Sequence, residues 1–204
     1  MALVVFTGGA RSGKSAAAQS LAESRALDGH DVTVMVFGRE SEQDPEFADR
    51  IRRHRADRPA DWSTVEITSL TALQARSTVP GLLVVDCIGT MLGLAMEEAY
   101  ADAAAGDLQT ADPGALPEGF AEAAEFRFGT ALEAILGRRG DTIVVTNEVG
   151  DGIVPMYASS RWFRDRLGLA NRALIAAADA AYLTVAGRLI DLSSLPGQAR
   201  WPED

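Results

Sequence analysis

The segment Gly8-Gly9-Ala10-Arg11-Ser12-Gly13-Lys14-Ser15 lies between an apolar run, Ala2-Leu3-Val4-Val5-Phe6-Thr7, and a strong helix former, Ala16-Ala17-Ala18-Gln19-Ser20-Leu21-Ala22-Glu23. Strand, glycine-rich turn and helix in that order fit G-x-x-x-x-G-K-[ST], in which backbone N–H groups at a helix N-terminus wrap a polyphosphate. Lys14 is the only lysine in the chain, every other cation being arginine. A compact ammonium on a flexible stem suits the outer phosphates, where a planar guanidinium would demand a fixed fork geometry. Ser15 is then expected to ligate Mg²⁺. Nucleotide phosphate binding at residues 8–15 is the first expectation.

Strands are expected at 2–7, 31–37, 82–86, 142–146 and 181–186, and helices at 14–28, 45–55, 69–76, 89–104, 119–137 and 160–178. Strands alternating with helices imply an α/β fold: a mainly parallel sheet with helices on both faces and ligands at the carboxyl ends of the strands. With the phosphate loop on the first strand, the class is a single-domain, P-loop NTPase-type (RecA-like) architecture. A length of 204 residues fits one such domain. We place it at 1–192, with a flexible acidic insertion at about 105–118, where turn formers dominate, and a C-terminal tail at 193–204.

A net charge of -10 disfavours nucleic acid and anionic membranes, both of which reward a basic surface. No apolar run approaches the ~20 residues of a membrane span, and the expected location is the cytoplasm. A single cysteine, Cys87, excludes an internal disulfide framework and is read as a small buried hydrophobe without chemistry. Against this acidic background, Arg50, Arg52, Arg53, Arg55 and Arg58 crowd one short stretch. Such a patch is a local anion site more readily than a polymer track.

Two further features fit nucleotide chemistry. Leu82-Leu83-Val84-Val85-Asp86 reads as a buried strand delivering a carboxylate to a metal or its waters, with Ser15 as the other protein ligand. His54 lies in Arg50-Ile51-Arg52-Arg53-His54-Arg55-Ala56-Asp57-Arg58-Pro59. If this stretch is helical, Arg50 and Arg58 share the face of His54. Their charges would hold its pKa below the reference of ~6.5 and keep a ring nitrogen free to attack phosphorus. An arginine-rich solvated face with an incidental histidine is the plainer alternative from the residues alone.

Several segments together resemble the bifunctional adenosylcobinamide kinase / adenosylcobinamide-phosphate guanylyltransferase family of cobalamin biosynthesis. They are residues 8–15, Arg-Ile-x-x-His-Arg-x-x-Arg-Pro at 50–59, Trp62-x-Thr64-x-Glu66 and Asp86-Cys87. Further on come Thr146-Asn147-Glu148-Val149-Gly150-x-Gly152-Ile153-Val154-Pro155 and Arg161-x-Phe163-Arg164-Asp165-x-x-Gly168-x-x-Asn171. The resemblance runs in order over nearly the whole chain. It implies phosphorylation of adenosylcobinamide with ATP or GTP, then transfer of GMP from GTP to adenosylcobinamide phosphate, giving adenosylcobinamide-GDP.

The resemblance also implies site residues. His54 is the nucleophile that takes up GMP, and Lys14 serves the phosphates. Arg55, Ala56, Asp57 and Arg58 lie beside the nucleotide, and Glu66 and Asp86 are acidic nucleotide or metal contacts. Gly38, Arg39 and Glu40 occupy a nucleotide-contacting position where the family usually has a small Ala-Thr pair, so this chain departs from the pattern there. Residues 146–155 are expected to seat the cobinamide or order the phosphate loop. A homotrimer is implied by the resemblance and by nothing in the residue pattern. Two other readings stay open: a simple P-loop small-molecule kinase that never loads His54, and a noncatalytic NTP-dependent switch.

Overall fold

The computed structural model describes residues 1–38, 58–73, 79–103 and 114–198. In chain order these form β1 (Leu3–Thr7), α1 (Lys14–Leu27), β2 (Val32–Phe37), β3 (Ser63–Ile67), a 3₁₀ turn (Leu70–Ala72), β4 (Leu82–Asp86) and α2 (Ile88–Ala103). They continue as α3 (Phe120–Leu136), β5 (Thr142–Val145), α4 (Ala158–Ala177), β6 (Ala180–Val185) and β7 (Arg188–Asp191). The seven strands form one sheet in the order β3-β2-β4-β5-β1-β6-β7, with every pairing parallel except β6 with β7. β5 therefore separates the phosphate-loop strand β1 from the aspartate strand β4, which fits the expected RecA-like arrangement.

Side chains alternate across a strand, so near-continuous apolar strands supply both faces of a covered parallel sheet. Val5, Met35, Leu83, Val85 and Val144 pack with α2, α3 and α4. Phe6, Val34, Val84, Ile143 and Val145 pack on the other face against Ala18 and Ala22 of α1. Both alanines are essentially fully buried, which brings α1 close to the sheet and its N-terminus to the carboxyl ends of the strands.

The five expected strands and four of the expected helices are present with ends shifted by at most two residues. Two strands went unanticipated. β3, Ser-Thr-Val-Glu-Ile, is an edge strand with one buried residue, and β7 is exposed along its whole length, so neither carries a clear alternating apolar signal. The helix expected at 69–76 is a 3₁₀ turn at Leu70–Ala72, and 74–78 lie outside the described residues. The helix expected at 45–55 and most of the 105–118 insertion also lie outside them.

At the amino ends of the strands, opposite the phosphate loop, Arg138 ties two strand entries together. Its Nη1 donates to the Asp141 carbonyl at 2.8 Å and the Thr142 hydroxyl at 3.2 Å, and its Nη2 to the carbonyls of Val79 and Gly81, both at 2.8 Å. Arg138→Met keeps the stem but strands these acceptors, and is expected to cost about 2–4 kcal/mol. A fall of roughly 5–12 °C in thermal midpoint follows for a chain of this size, with nucleotide affinity unchanged below the transition. Calorimetry paired with a nucleotide titration checks both halves.

Beside it, the Ala2 N–H bonds Asp141 Oδ1 at 2.9 Å and Arg25 Nη2 reaches Oδ2 at 3.0 Å. The Ala2 hydrogen bond first, then Arg25, holds the Asp141 carboxyl below its ordinary range. A depressed folded pKa contributes stability that is present above the unfolded value of ~3.9 and lost as pH falls through the folded one. The midpoint difference between wild type and Asp141→Asn is thus expected to hold from neutral pH to about pH 5 and to shrink below about pH 4. A pH-independent difference in melting would refute this electrostatic origin.

Candidate functional site

The phosphate loop is a turn built on unusual backbone angles. Gly8 has φ +154°, Gly13 +98° and Arg11 +57°, the last a left-handed conformation rarely adopted by a residue with a side chain. Gly8 is required by space as well: a Cβ there would stand 2.5 Å from the Thr184 carbonyl and 2.7 Å from Ser12 Oγ. Gly13 caps α1 with no side-chain hydrogen bond, and the first turn of the helix carries no acidic residue. The helix N-terminus is thereby kept clear of competing carboxylates, as an anion seat requires.

Lys14, on the first turn, is 7% exposed and its Nζ donates to the Gly9 carbonyl at 3.1 Å across the loop. Its charge also acts on the thiol of Cys87, next to Asp86. Loop lysine and strand-end aspartate thus share one electrostatic neighbourhood. Ser12 Oγ, Thr7 Oγ1 and Thr184 Oγ1 are buried without a hydrogen-bond partner among the described residues. Orphaned hydroxyls at a glycine-rich turn call for a ligand or ordered water.

A cleft of about 190 Å³ opens beside the loop, lined by Ser15, Ala16, Ala18 and Gln19 of α1, by Val34, Val84, Asp86 and Val145 of the sheet, and by Arg58 and Trp62. Two short-range expectations, Ser15 and Asp86, and one long-range expectation, Arg58, therefore meet in one space. One serine hydroxyl and one carboxylate beside a phosphate seat suit Mg²⁺, which favours few protein ligands plus phosphate oxygens and water. Among the described residues there is no cluster of three or more His, Cys, Asp or Glu able to hold a metal.

Glu66 sits one strand beyond β2, opposite Val36 in register, while Asp86 is opposite Val145. Alternation puts Glu66 on the α1 side of the sheet, because its neighbours Val65 and Ile67 pack on the other side. Two strand spacings, roughly 10 Å, separate the Glu66 and Asp86 strands. Gly38 directly follows β2, its N–H donating to the Ile67 carbonyl at 3.0 Å, so it lies at the same carboxyl edge. Arg39, Glu40, His54, Arg55, Ala56 and Asp57 lie outside the described residues.

The segment after β5 is tied to the loop. The Thr146 N–H donates to the Phe6 carbonyl at 2.9 Å and the Glu148 N–H to the Gly8 carbonyl at 3.0 Å. Asn171 of α4 is buried and uses both ends of its amide: Thr146 Oγ1 donates to its Oδ1 at 2.6 Å, and its Nδ2 donates to the Asn147 carbonyl at 2.9 Å. Asn171 is thus an internal brace for the strand end rather than part of a solvated face. Nothing in its helical period marks it as such. Arg161 holds the carbonyls of Pro155 and Met156 at 3.2 and 2.5 Å.

Cys87 is half-buried rather than a simple core residue, and its thiol donates to Asn147 Oδ1 at 3.3 Å. Burial, and then the Asp86 charge, push that thiol up, which leaves it a poor nucleophile. Among the described residues no helix is long and apolar enough to cross a membrane.

The arrangement has clear relatives. Residues 4–192 match the family model described as cobinamide kinase / cobinamide phosphate guanyltransferase. The bifunctional adenosylcobalamin biosynthesis protein CobU of Salmonella typhimurium is 34% identical over 187 residues, which cover 91% of this chain and 96% of that protein. The protein of the same name from Escherichia coli is 32% identical over 191 residues, covering 91% and 96%. The bifunctional adenosylcobalamin biosynthesis protein CobP of Pseudomonas aeruginosa is 32% identical over 194 residues, covering 94% and 98%. Among solved structures, a type III secretion system ATPase aligns at 12% identity and a TM-score of 0.47, over 89% of this chain and 50% of that one. A match that spans the phosphate loop, the aspartate strand and the brace at Asn171 alike leaves one conclusion: the chain belongs to the cobinamide kinase / cobinamide phosphate guanyltransferase family of enzymes.

Proposed function

We propose that this protein phosphorylates adenosylcobinamide with ATP or GTP and then transfers GMP from GTP to the new phosphate through a guanylyl-His54 intermediate, forming adenosylcobinamide-GDP. The observation that carries the reading is the cleft that joins Ser15 of the phosphate loop, Asp86 and Arg58. Arg58 ends the arginine-rich stretch. His54 lies four positions before it in the sequence.

In the kinase step, residues 8–15 hold the polyphosphate, with Lys14 on its outer phosphates, while the acceptor hydroxyl attacks the γ-phosphorus. The new P–O bond forms as the bond to the nucleoside diphosphate breaks, and the hydroxyl proton is lost to solvent or base. Ser15 and Asp86 would hold Mg²⁺, which when bound supplies neutralising charge to the phosphates. In the transfer step, a neutral ring nitrogen of His54 attacks the α-phosphorus of GTP, a P–N bond forms, and pyrophosphate leaves. A phosphate oxygen of the acceptor then attacks that phosphorus, and cleavage of the P–N bond restores the imidazole.

Arg55 and Arg58 would neutralise charge on the nucleotide, with Ala56 and Asp57 beside it. Glu66 and Gly38, at the carboxyl edge, would contact the nucleotide, as would Arg39 and Glu40. The 146–155 segment would order the phosphate loop, a role supported by the Glu148 to Gly8 hydrogen bond. A cytoplasmic homotrimer, and a domain at 1–192 followed by a tail, belong to the same proposal.

The deciding experiment uses GTP labelled at the α-phosphate with Mg²⁺, followed by denaturation. Acid-labile, alkali-stable label on the protein is expected, as for a phosphoramidate. Absence of label, with GTP binding demonstrated, would remove the covalent step and leave a simple kinase or a noncatalytic NTP-dependent switch.

A further inference from the structure

β6 and β7 form a hairpin in which Val185 pairs with Arg188 around the two-residue turn Ala186-Gly187. Both turn residues have positive φ, 49° and 74°, as a type I′ turn requires. The turn leans on the phosphate loop. The Gly187 N–H donates to the Ser12 carbonyl at 2.8 Å, and a Cβ built on Gly13 would lie 3.3 Å from Gly187 Cα. Just before the turn, the Thr184 carbonyl occupies the space beside Gly8. The hairpin thus backs both ends of the loop.

A peptide unit is planar and trans, so its C=O and the N–H that follows point in opposite directions. Drawing the Ser12 carbonyl toward the hairpin turns the Gly13 N–H the other way, away from the hairpin. The Glu148 N–H does the same at the opposite end, holding the Gly8 carbonyl and so directing the Gly9 N–H.

We propose that Gly187 is a positioning residue for triphosphate binding, acting through the Ser12 carbonyl to aim the Gly13 N–H at a phosphate oxygen. The inference rests on residues 8–15 being the triphosphate seat. It gives the exposed antiparallel strand β7 a purpose, since that strand is what closes the turn against the loop.

Gly187→Val and Gly187→Asn separate this role from simple stability. Nothing lies within 4 Å of a Cβ at Gly187, so the first side-chain carbon of either residue meets open space. They differ in backbone preference: asparagine tolerates the left-handed region, whereas a β-branched residue is an outlier there. Affinities for GTP and for inorganic tripolyphosphate, each with Mg²⁺, are measured by calorimetry alongside the ligand-free thermal midpoint.

Valine is expected to weaken both ligands by about tenfold, equivalent to one well-aimed hydrogen bond to a charged group. Asparagine is expected to restore binding to within about twofold of wild type. Wild-type affinity in a folded valine variant would overturn the proposal, and so would equal losses in the two variants. If valine prevents folding, Gly187→Ala, with a smaller left-handed penalty, enters the same comparison with asparagine. Failure of the wild-type protein to bind GTP or tripolyphosphate would refute the phosphate-loop reading itself, a result distinct from failure of the hairpin's role.

Discussion

His54→Ala is expected to lose all α-phosphate label and to slow GMP transfer by at least about 10³-fold, as removal of a covalent nucleophile does. Phosphorylation of the corrinoid hydroxyl should persist at a rate within a few-fold of wild type. The proposed mechanism divides the labour: in it the loop, Lys14, Ser15 and Asp86 would serve the γ-phosphorus, whereas the α-phosphorus would need a nucleophile that these residues do not provide. Separate assays, one following γ-label into the acceptor and one following α-label onto the protein, read the two halves independently. Label retained in His54→Ala would place the nucleophile elsewhere, and loss of both activities would deny the separation.

Lys14→Ala is expected to depress both activities, each by on the order of 10²–10³, the range for removing one preorganised charge donor from developing oxyanion charge. Lys14 is buried, its ammonium is held over the loop by the Gly9 carbonyl, and it is the chain's only lysine. Lys14→Arg should recover little, because a rigid guanidinium fork does not fit a position shaped around a compact ammonium. Steady-state rates with saturating acceptor, alongside GTP affinity by calorimetry, make the check. A Lys14→Ala enzyme within tenfold of wild type in both reactions would remove the lysine from the phosphate seat.

The two expectations were legible to different degrees. Gly8 to Ser15 and the Asp86 strand stand out because each is a local pattern with its own backbone consequence: a glycine turn into a helix, and an apolar run ending in a carboxylate. Their meeting in one cleft with Arg58 is not local. It depends on β2 and β3 lying beyond β4, an order that no single segment encodes. The importance of His54 came from resemblance, since an arginine-flanked histidine is by itself an ordinary solvated pattern.

What escaped the sequence reading shares one property: its signal lies in pairing partners. β3 and β7 are too exposed for alternation to show, and both owe their existence to a neighbour's open edge. Asn171 looks like any polar residue of an amphipathic helix until α4 packs on the sheet and buries it against Thr146 and Asn147. Gly187 lies in an Ala-Gly turn with no strong local hairpin signal, and its hydrogen bond to Ser12 spans 175 positions along the chain.

By itself, then, the sequence determined the elements whose information is periodic or covalent: the buried strands, the amphipathic helices, the phosphate loop and its lysine, and a family resemblance running through them. Only the tertiary structure decided which strand ends adjoin, which hydroxyls and amides are buried, and what braces the loop from behind. Those properties arise when distant segments exclude water from one another. Burial and hydrogen-bond partners belong to pairs of segments, and no pattern within one segment can state them.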